Sequence, residues 1–258
     1  AEALARAVAA RWDTSGAPVA APIAAPDTVL PAAPAEAPGG VRCPASLRVA
    51  RAGATGRVAV WWSTRPDRSA ALYLSRSDDA GQSWRAPIPV DTLDRSERGC
   101  ERPAPSVTVD SSTGYVHVAY SMVAPEGPGV FYAHQMDPRA AFEPPQVIVY
   151  GERPAATSIA SLGQRVVVAY EDPNTGGRPF VSLALSRTAG HAWAERVPVT
   201  GRTVSAERPV VVLRGPRDVV LGWVERTAPR TLDATDDPRV AVAPLPSGVV
   251  VRAGRLRE

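Results

Sequence analysis

The chain has 258 residues, 45% of them hydrophobic and 21% charged, which is enough for one domain with a sizeable core. Its 27 Pro and 20 Gly, against three Phe and two Met, disfavour a helical bundle and favour many short elements joined by turns. Net charge is +3, but all 29 basic residues are scattered Arg, so no nucleic-acid partner is expected; no apolar run reaches the ~18–20 residues of a membrane-spanning helix.

Residues 1–40 are read as an N-terminal arm distinct from the rest. They hold 15 Ala and, from Pro18 to Pro38, six Pro. At the start, Leu4, Val8 and Trp12 fall at i, i+4, i+8 among good helix formers, which predicts a short helix. Beyond Ser15-Gly16, Pro every three to five residues prevents helix and ladder alike, leaving an extended polyproline-like strap. Such a strap gains order only on a surface, and Leu4, Val8, Trp12, Ile23, Val29 and Leu30 are its candidate anchors on a protein partner. The sequence begins at Ala1, and removal of an upstream signal or anchor is expected.

Aligning prolines exposes an internal repeat over residues 41–258. Arg42-Cys43-Pro44, Glu101-Arg102-Pro103, Glu152-Arg153-Pro154 and Glu207-Arg208-Pro209 recur at intervals of 59, 51 and 55 residues. Each is followed by an apolar strand, a turn and a second strand ending in an aromatic residue: Trp62, Tyr120, Tyr170 and Trp223. Third strands are predicted at Ala71–Ser75, Val130–His134, Phe180–Ser186 and Arg239–Ala243. Fourth strands are predicted at Ile88–Val90, Gln146–Tyr150, Arg196–Val199 and Gly248–Val251. Pro89 and Pro198 lie inside fourth strands, where a missing N–H is tolerated only at an edge, so the fourth strand is the outer one. Four strands per repeat predict an all-β, four-bladed propeller, with blades at about 42–98, 99–150, 151–205 and 206–256.

Cys43 and Cys100 are too few for a zinc site. Either they are buried free thiols or they pair in an oxidising compartment, and their placement beside strand-opening prolines favours pairing. The absence of Lys is the codon bias expected of a GC-rich bacterial genome.

Between third and fourth strands of the first repeat stands Ser77-Asp78-Asp79-Ala80-Gly81-Gln82-Ser83-Trp84. The third repeat carries Ser186-Arg187-Thr188-Ala189-Gly190-His191-Ala192-Trp193, with Thr188 in place of the Asp. These resemble the Asp-box of sialidases and related BNR-repeat propellers, whose pattern S-x-D-x-G-x-x-W the first copy meets in full. The pattern suits a tight turn: a carboxylate folds onto turn N–H groups, Gly supplies a positive φ, and Trp packs between sheets. Ser77, Asp79, Gly81, Trp84, Ser186, Thr188, Gly190 and Trp193 are therefore read as structural, since in that family the box lies away from the catalytic face.

The resemblance also implies an arginine triad gripping a carboxylate. Arg42-Cys43-Pro44 is similar to the family's Arg-Ile-Pro, and Arg102, Arg153 and Arg208 share its phase, so these four are candidate channel or anion-binding residues. The alternative is a set of Glu–Arg ion pairs tying neighbouring inner strands. Catalysis would need a Tyr nucleophile with a Glu beside it, but Tyr120 and Tyr170 sit where every repeat places an aromatic. His117, His134 and His191 fall in different phases of their repeats, so no metal set, and no cofactor, is expected. The expectation is a non-catalytic scaffold, periplasmic or secreted, engaging protein partners through arm and loops in a larger, membrane-associated complex. A sialidase-like glycosidase or lectin is the alternative.

Overall fold

The computed structural model describes residues 30–174, 178–201, 204–226 and 247–256, together with the backbone of Trp12–Asp13. In chain order the strands are β1 (Trp12–Asp13), β2 (Val41–Arg42), β3 (Arg48–Ala52), β4 (Gly56–Thr64), β5 (Ala70–Ser77), β6 (Ile88–Asp91), β7 (Ser106–Val109), β8 (Val116–Ala124) and β9 (Gly127–Gln135). They continue with β10 (Gln146–Tyr150), β11 (Thr157–Leu162), β12 (Arg165–Glu171), β13 (Val181–Ser186), β14 (Trp193–Pro198), β15 (Ser205–Leu213), β16 (Asp218–Arg226) and β17 (Ser247–Leu256).

These strands form four antiparallel sheets. In the first, β2 and β3 both flank β4, followed by β5 and β6; the second runs β7-β8-β9-β10, the third β11-β12-β13-β14 and the fourth β15-β16-β17-β1. The second strands VAVWW, VHVAY and VVVAY are buried on both faces, and the latter two lie between neighbouring sheets. Val58, Val60 and Trp62 of the first sheet meet Val116, Val118 and Tyr120 of the second. Val130, Tyr132 and Ile148 of the second meet Val166, Val168 and Tyr170 of the third. Val167, Ala169 and Leu183 of the third meet Val219, Leu221 and Trp223 of the fourth. Three apolar seams thus join four sheets in sequence, with the neighbouring inner strands β3, β7, β11 and β15 in contact. The repeat-derived layering is present, and a two-sheet sandwich is not.

Several boundaries differ from expectation. The inner strand of the first sheet is broken by a 3-10 turn over Pro44–Ser46, so the opening proline sits in a turn. Pro209 lies inside β15, at an irregularity between Glu207 and Val210 where Arg208 adopts φ 54°. In the fourth sheet, the segment predicted as the outer strand, Gly248–Val251, pairs instead with β16 as the third strand. The outer position is taken by β1, through Trp12↔Leu256 and Asp13↔Arg255. The predicted third strand Arg239–Ala243 lies outside the described residues, as do Leu4, Val8, Ile23 and Val29. The helix predicted for the start of the arm is outside them too, except at its end, where Trp12 is in β1.

The end of the arm is held by the chain itself. The Ala32 N–H donates to Gly81 O (3.1 Å), and the Trp84 indole N–H donates back to Ala32 O (2.9 Å). Leu30 and Pro31 pack on Gly81, and Ala37 is buried. Arg42 donates to Pro34 O and pairs with Glu36 at 3.4 Å. Leu30 thus packs onto the first sheet. The physical reason is a turn that offers both a carbonyl and an indole donor to a passing backbone. Trp84→Phe keeps the ring and deletes the donor. It is expected to raise amide exchange at Ala32 by about fivefold to tenfold, since a neutral hydrogen bond contributes about 1 kcal/mol; unchanged exchange would contradict the clamp.

The Cys43–Cys100 disulfide is formed, with Cα atoms 5.3 Å apart. It ties the turn of the first sheet to the crossover that leads into the second.

Candidate functional site

The two Ser-x-[Asp/Thr]-x-Gly-x-x-Trp turns have matching geometry. In the first, Gly81 N donates to Ser77 Oγ (2.8 Å), and Ser83 N and Oγ donate to Asp79 (2.9 and 2.5 Å). Asp79 is held down at about 2 by these bonds from Ser83 and by Ser77. In the third sheet, Gly190 N donates to Ser186 Oγ (2.9 Å) and Ala192 N to Thr188 Oγ1 (2.9 Å), so a hydroxyl does the work of the carboxylate. Gly81 and Gly190 both have positive φ, 91° and 93°. Trp193 packs edge-on to Tyr132 in the seam between second and third sheets, at 4.8 Å between centroids. Trp84 differs, for it turns to the arm.

The four strand-opening arginines do not gather. Arg42 is engaged by Pro34 and Glu36, as above. Arg102 is buried under the Trp62 ring (5.2 Å to its centroid), in an ion pair with Asp94, and also donates to Gly99 O (2.6 Å) and Ser96 Oγ (2.8 Å). Burial lowers its pKa to about 10, which leaves it charged at neutral pH. Arg102 and Arg153 border one groove at the end of the second sheet, between the crossovers that flank it, with Arg98, Glu152 and Ser121; Arg42 and Arg208 are not among its lining. Arg208 is exposed, and its backbone N–H donates to Glu171 Oε1 (2.7 Å), which links the third sheet to the fourth.

Glu207 and Glu101 of the Glu-Arg-Pro segments turn to arginines outside those segments. Glu207 pairs with Arg226 at 3.3 Å across its own sheet, and Glu101 approaches Arg68 at 3.9 Å in solvent. The acid that matters to Arg102 is Asp94, in the preceding crossover, which no spacing in the repeat indicates.

The aromatic phase is structural. Tyr120 donates to Asp91 Oδ2 at 2.5 Å inside the core, and burial together with the Asp91 carboxylate pushes the phenol well up. Burial raises Asp91 as well. Tyr170 is also buried with its phenol pushed up by desolvation. Neither is poised as a phenolate nucleophile, which needs the opposite shift.

The histidines break the sequence reading. His134 at the end of β9 and His191 in the turn after β13 lie beside each other, with ring centroids 4.8 Å apart, and Glu143 joins them. His134 lies at the end of the third strand of one repeat and His191 in the turn after the third strand of the next, so a finer phase map would have placed them on one rim. Glu143 carries no sequence signal of its own, and only its backbone bond to His134 (3.0 Å) draws it in.

No protein-family model matches this sequence, and no curated protein does either. Solved structures share its fold. The GH93 α-L-arabinofuranosidase of Fusarium graminearum is 13% identical, with TM-score 0.55, over 85% of this chain and 65% of that one. A Dyadobacter fermentans protein of unknown function is 14% identical, with TM-score 0.52, over 74% of this chain and 64% of that one. The Trypanosoma rangeli sialidase is 12% identical, with TM-score 0.52, over 73% of this chain and 35% of that one. The chain therefore spans less than two thirds of each, and the likeness is one of fold: a sialidase-like β-propeller.

Proposed function

We propose that the protein is a non-catalytic scaffold, an extracytoplasmic accessory subunit that presents propeller loops to protein partners in a larger, membrane-associated assembly. The observation that carries this reading is the engagement of Arg42 and Arg102 by the fold. Arg102, in the phase of the sialidase triad, is sequestered with Asp94 beneath Trp62, and Arg42 is taken by the segment before it. A guanidinium already saturated by its own chain grips no substrate carboxylate. The disulfide fits an oxidising compartment. We take the four sheets as a complete set of blades, supported by an N-terminal segment that pairs with the last sheet and then lies on the first.

A sialidase-like or arabinofuranosidase-like activity is the rival reading, favoured by the enzymes that share the fold. The test is incubation of the purified protein with fluorogenic sialosides and α-L-arabinofuranosides, alongside native purification from the membrane fraction. The scaffold reading expects no turnover above heat-denatured protein and a stoichiometric protein partner. Heat-sensitive turnover of either glycoside, or a native protein that purifies alone, overturns it.

A further inference from the structure

We propose that His134, Glu143 and His191 form a binding site for a divalent transition-metal ion of the zinc class, on the rim of the seam between the second and third sheets. Their ligand atoms all lie within 4.8 Å of one another. Glu143 Oε2 is 2.8 Å from His134 Nε2 and 3.9 Å from His191 Nδ1. Ligands on a tetrahedral zinc with bonds of ~2.0–2.2 Å are separated by about 3.4 Å, which these two distances bracket. Only small rotations are needed, and the side chains that must make them are the exposed ones: Glu143 is 39% and His191 46% accessible, while His134 is 1%.

A second observation points to an ion. His134 Nε2 is buried and makes no hydrogen bond despite its closeness to Glu143. A buried ring nitrogen without a partner is costly, and a metal would satisfy it. The other nitrogen is already fixed: His134 Nδ1 lies 2.9 Å from Tyr132 Oη, which lies 2.7 Å from His117 Nδ1. We assign the proton on His134 Nδ1 to a bond onto Tyr132 Oη, leaving His134 Nε2 as a free lone pair. That is the outer support metal-bound imidazoles normally have. Tyr132 is itself pinned by the third sheet, since a Cβ on Gly190 would fall 1.8 Å from its oxygen.

Two imidazoles and one carboxylate select zinc, cobalt, nickel or copper over calcium and magnesium. Three protein ligands leave one coordination position for water or an anion. The bound ion would clamp the 188–193 turn of the third sheet to β9 of the second, so the turn that aligns two repeats also completes the ligand set.

The test uses tag-free full-length protein stripped with chelator and titrated with zinc chloride by calorimetry, with cobalt(II) absorption as the geometric readout. One equivalent is expected, with visible cobalt bands of tetrahedral intensity and no displacement by millimolar calcium. His191→Ala and Glu143→Gln alter exposed positions, so both should fold. Each is expected to weaken binding by about tenfold or more, and Tyr132→Phe by ~10–100-fold through the supporting bond. No binding by the wild type, or the same stoichiometry and affinity in the His191→Ala/Glu143→Gln variant, overturns the site.

Discussion

Replacing Arg102 by alanine is expected to destabilise the protein by about 3–5 kcal/mol, the cost of stranding one partner of a buried ion pair. Arg102 and Asp94 have side chains 3% and 1% accessible, so the Asp94 charge has no solvent to turn to. It would keep the N–H groups of Val123 (3.0 Å) and Ser96 (3.2 Å), which moderates the loss without neutralising it. The guanidinium also gathers the carbonyls of Gly99, Ser96 and Arg68, so its removal frees the crossover between first and second sheets. Urea denaturation measures the effect, and the fall in Tm should be on the order of 10 °C for a chain of this size. The Arg102→Ala/Asp94→Ala double variant should lose less than the sum of the two single losses, because it buries no unpaired charge. An Arg102→Ala loss below about 1 kcal/mol would show that water reaches Asp94 and that the burial argument fails.

Removing the disulfide is the second large effect expected. Cys43 and Cys100 are 57 residues apart and enclose strands β3 to β6. A loop of that length gives about 4 kcal/mol in the chain-entropy account, and native disulfides span ~2–5 kcal/mol in practice. Cys43→Ala/Cys100→Ala, compared with oxidised wild type in urea, should show a loss in that range. Cys100 and Arg102 hold the same crossover from two residues apart, so the two losses should not add. A reduced protein that unfolds at the same urea concentration as the oxidised one would mean that the crossover is secured without the bond.

The repeat was legible because its signal was redundant. Four prolines and four aromatics hold one register while the hairpins between them change length, and apolar second strands follow from burial on both faces. The edges were not legible. Trp12–Asp13 is too short to carry a pattern, and its role depends on β17 arriving from the far end of the chain. Gly248–Val251 reads as a strand wherever it sits, and alternation alone cannot say which neighbour it pairs with. Site residues failed for a related reason. Asp94 and Glu143 lie in connections that the repeat does not constrain, and their partners are chosen by how the sheets pack. The spacing of the arginines pointed to a shared phase, but Arg42 lies in β2, Arg102 and Arg153 in crossovers and Arg208 inside β15. It could not tell that one guanidinium points at a core carboxylate and another at the segment before it.

The pairing of β1 with β17 has a consequence for how the chain is made. Trp12 and Asp13 leave the ribosome about 240 residues before the strand they will pair with. The first three sheets can be completed from neighbours close in sequence, as each new hairpin folds onto the last. The fourth cannot, because about 240 residues separate its outer strand from the strand it pairs with. Closing that gap requires a contact across nearly the whole sequence, the slowest kind to form. Folding of these four sheets should therefore end with a single stitch that waits on synthesis of β17. A nascent chain stalled short of β17 would hold three finished layers and a β1 segment without its partner.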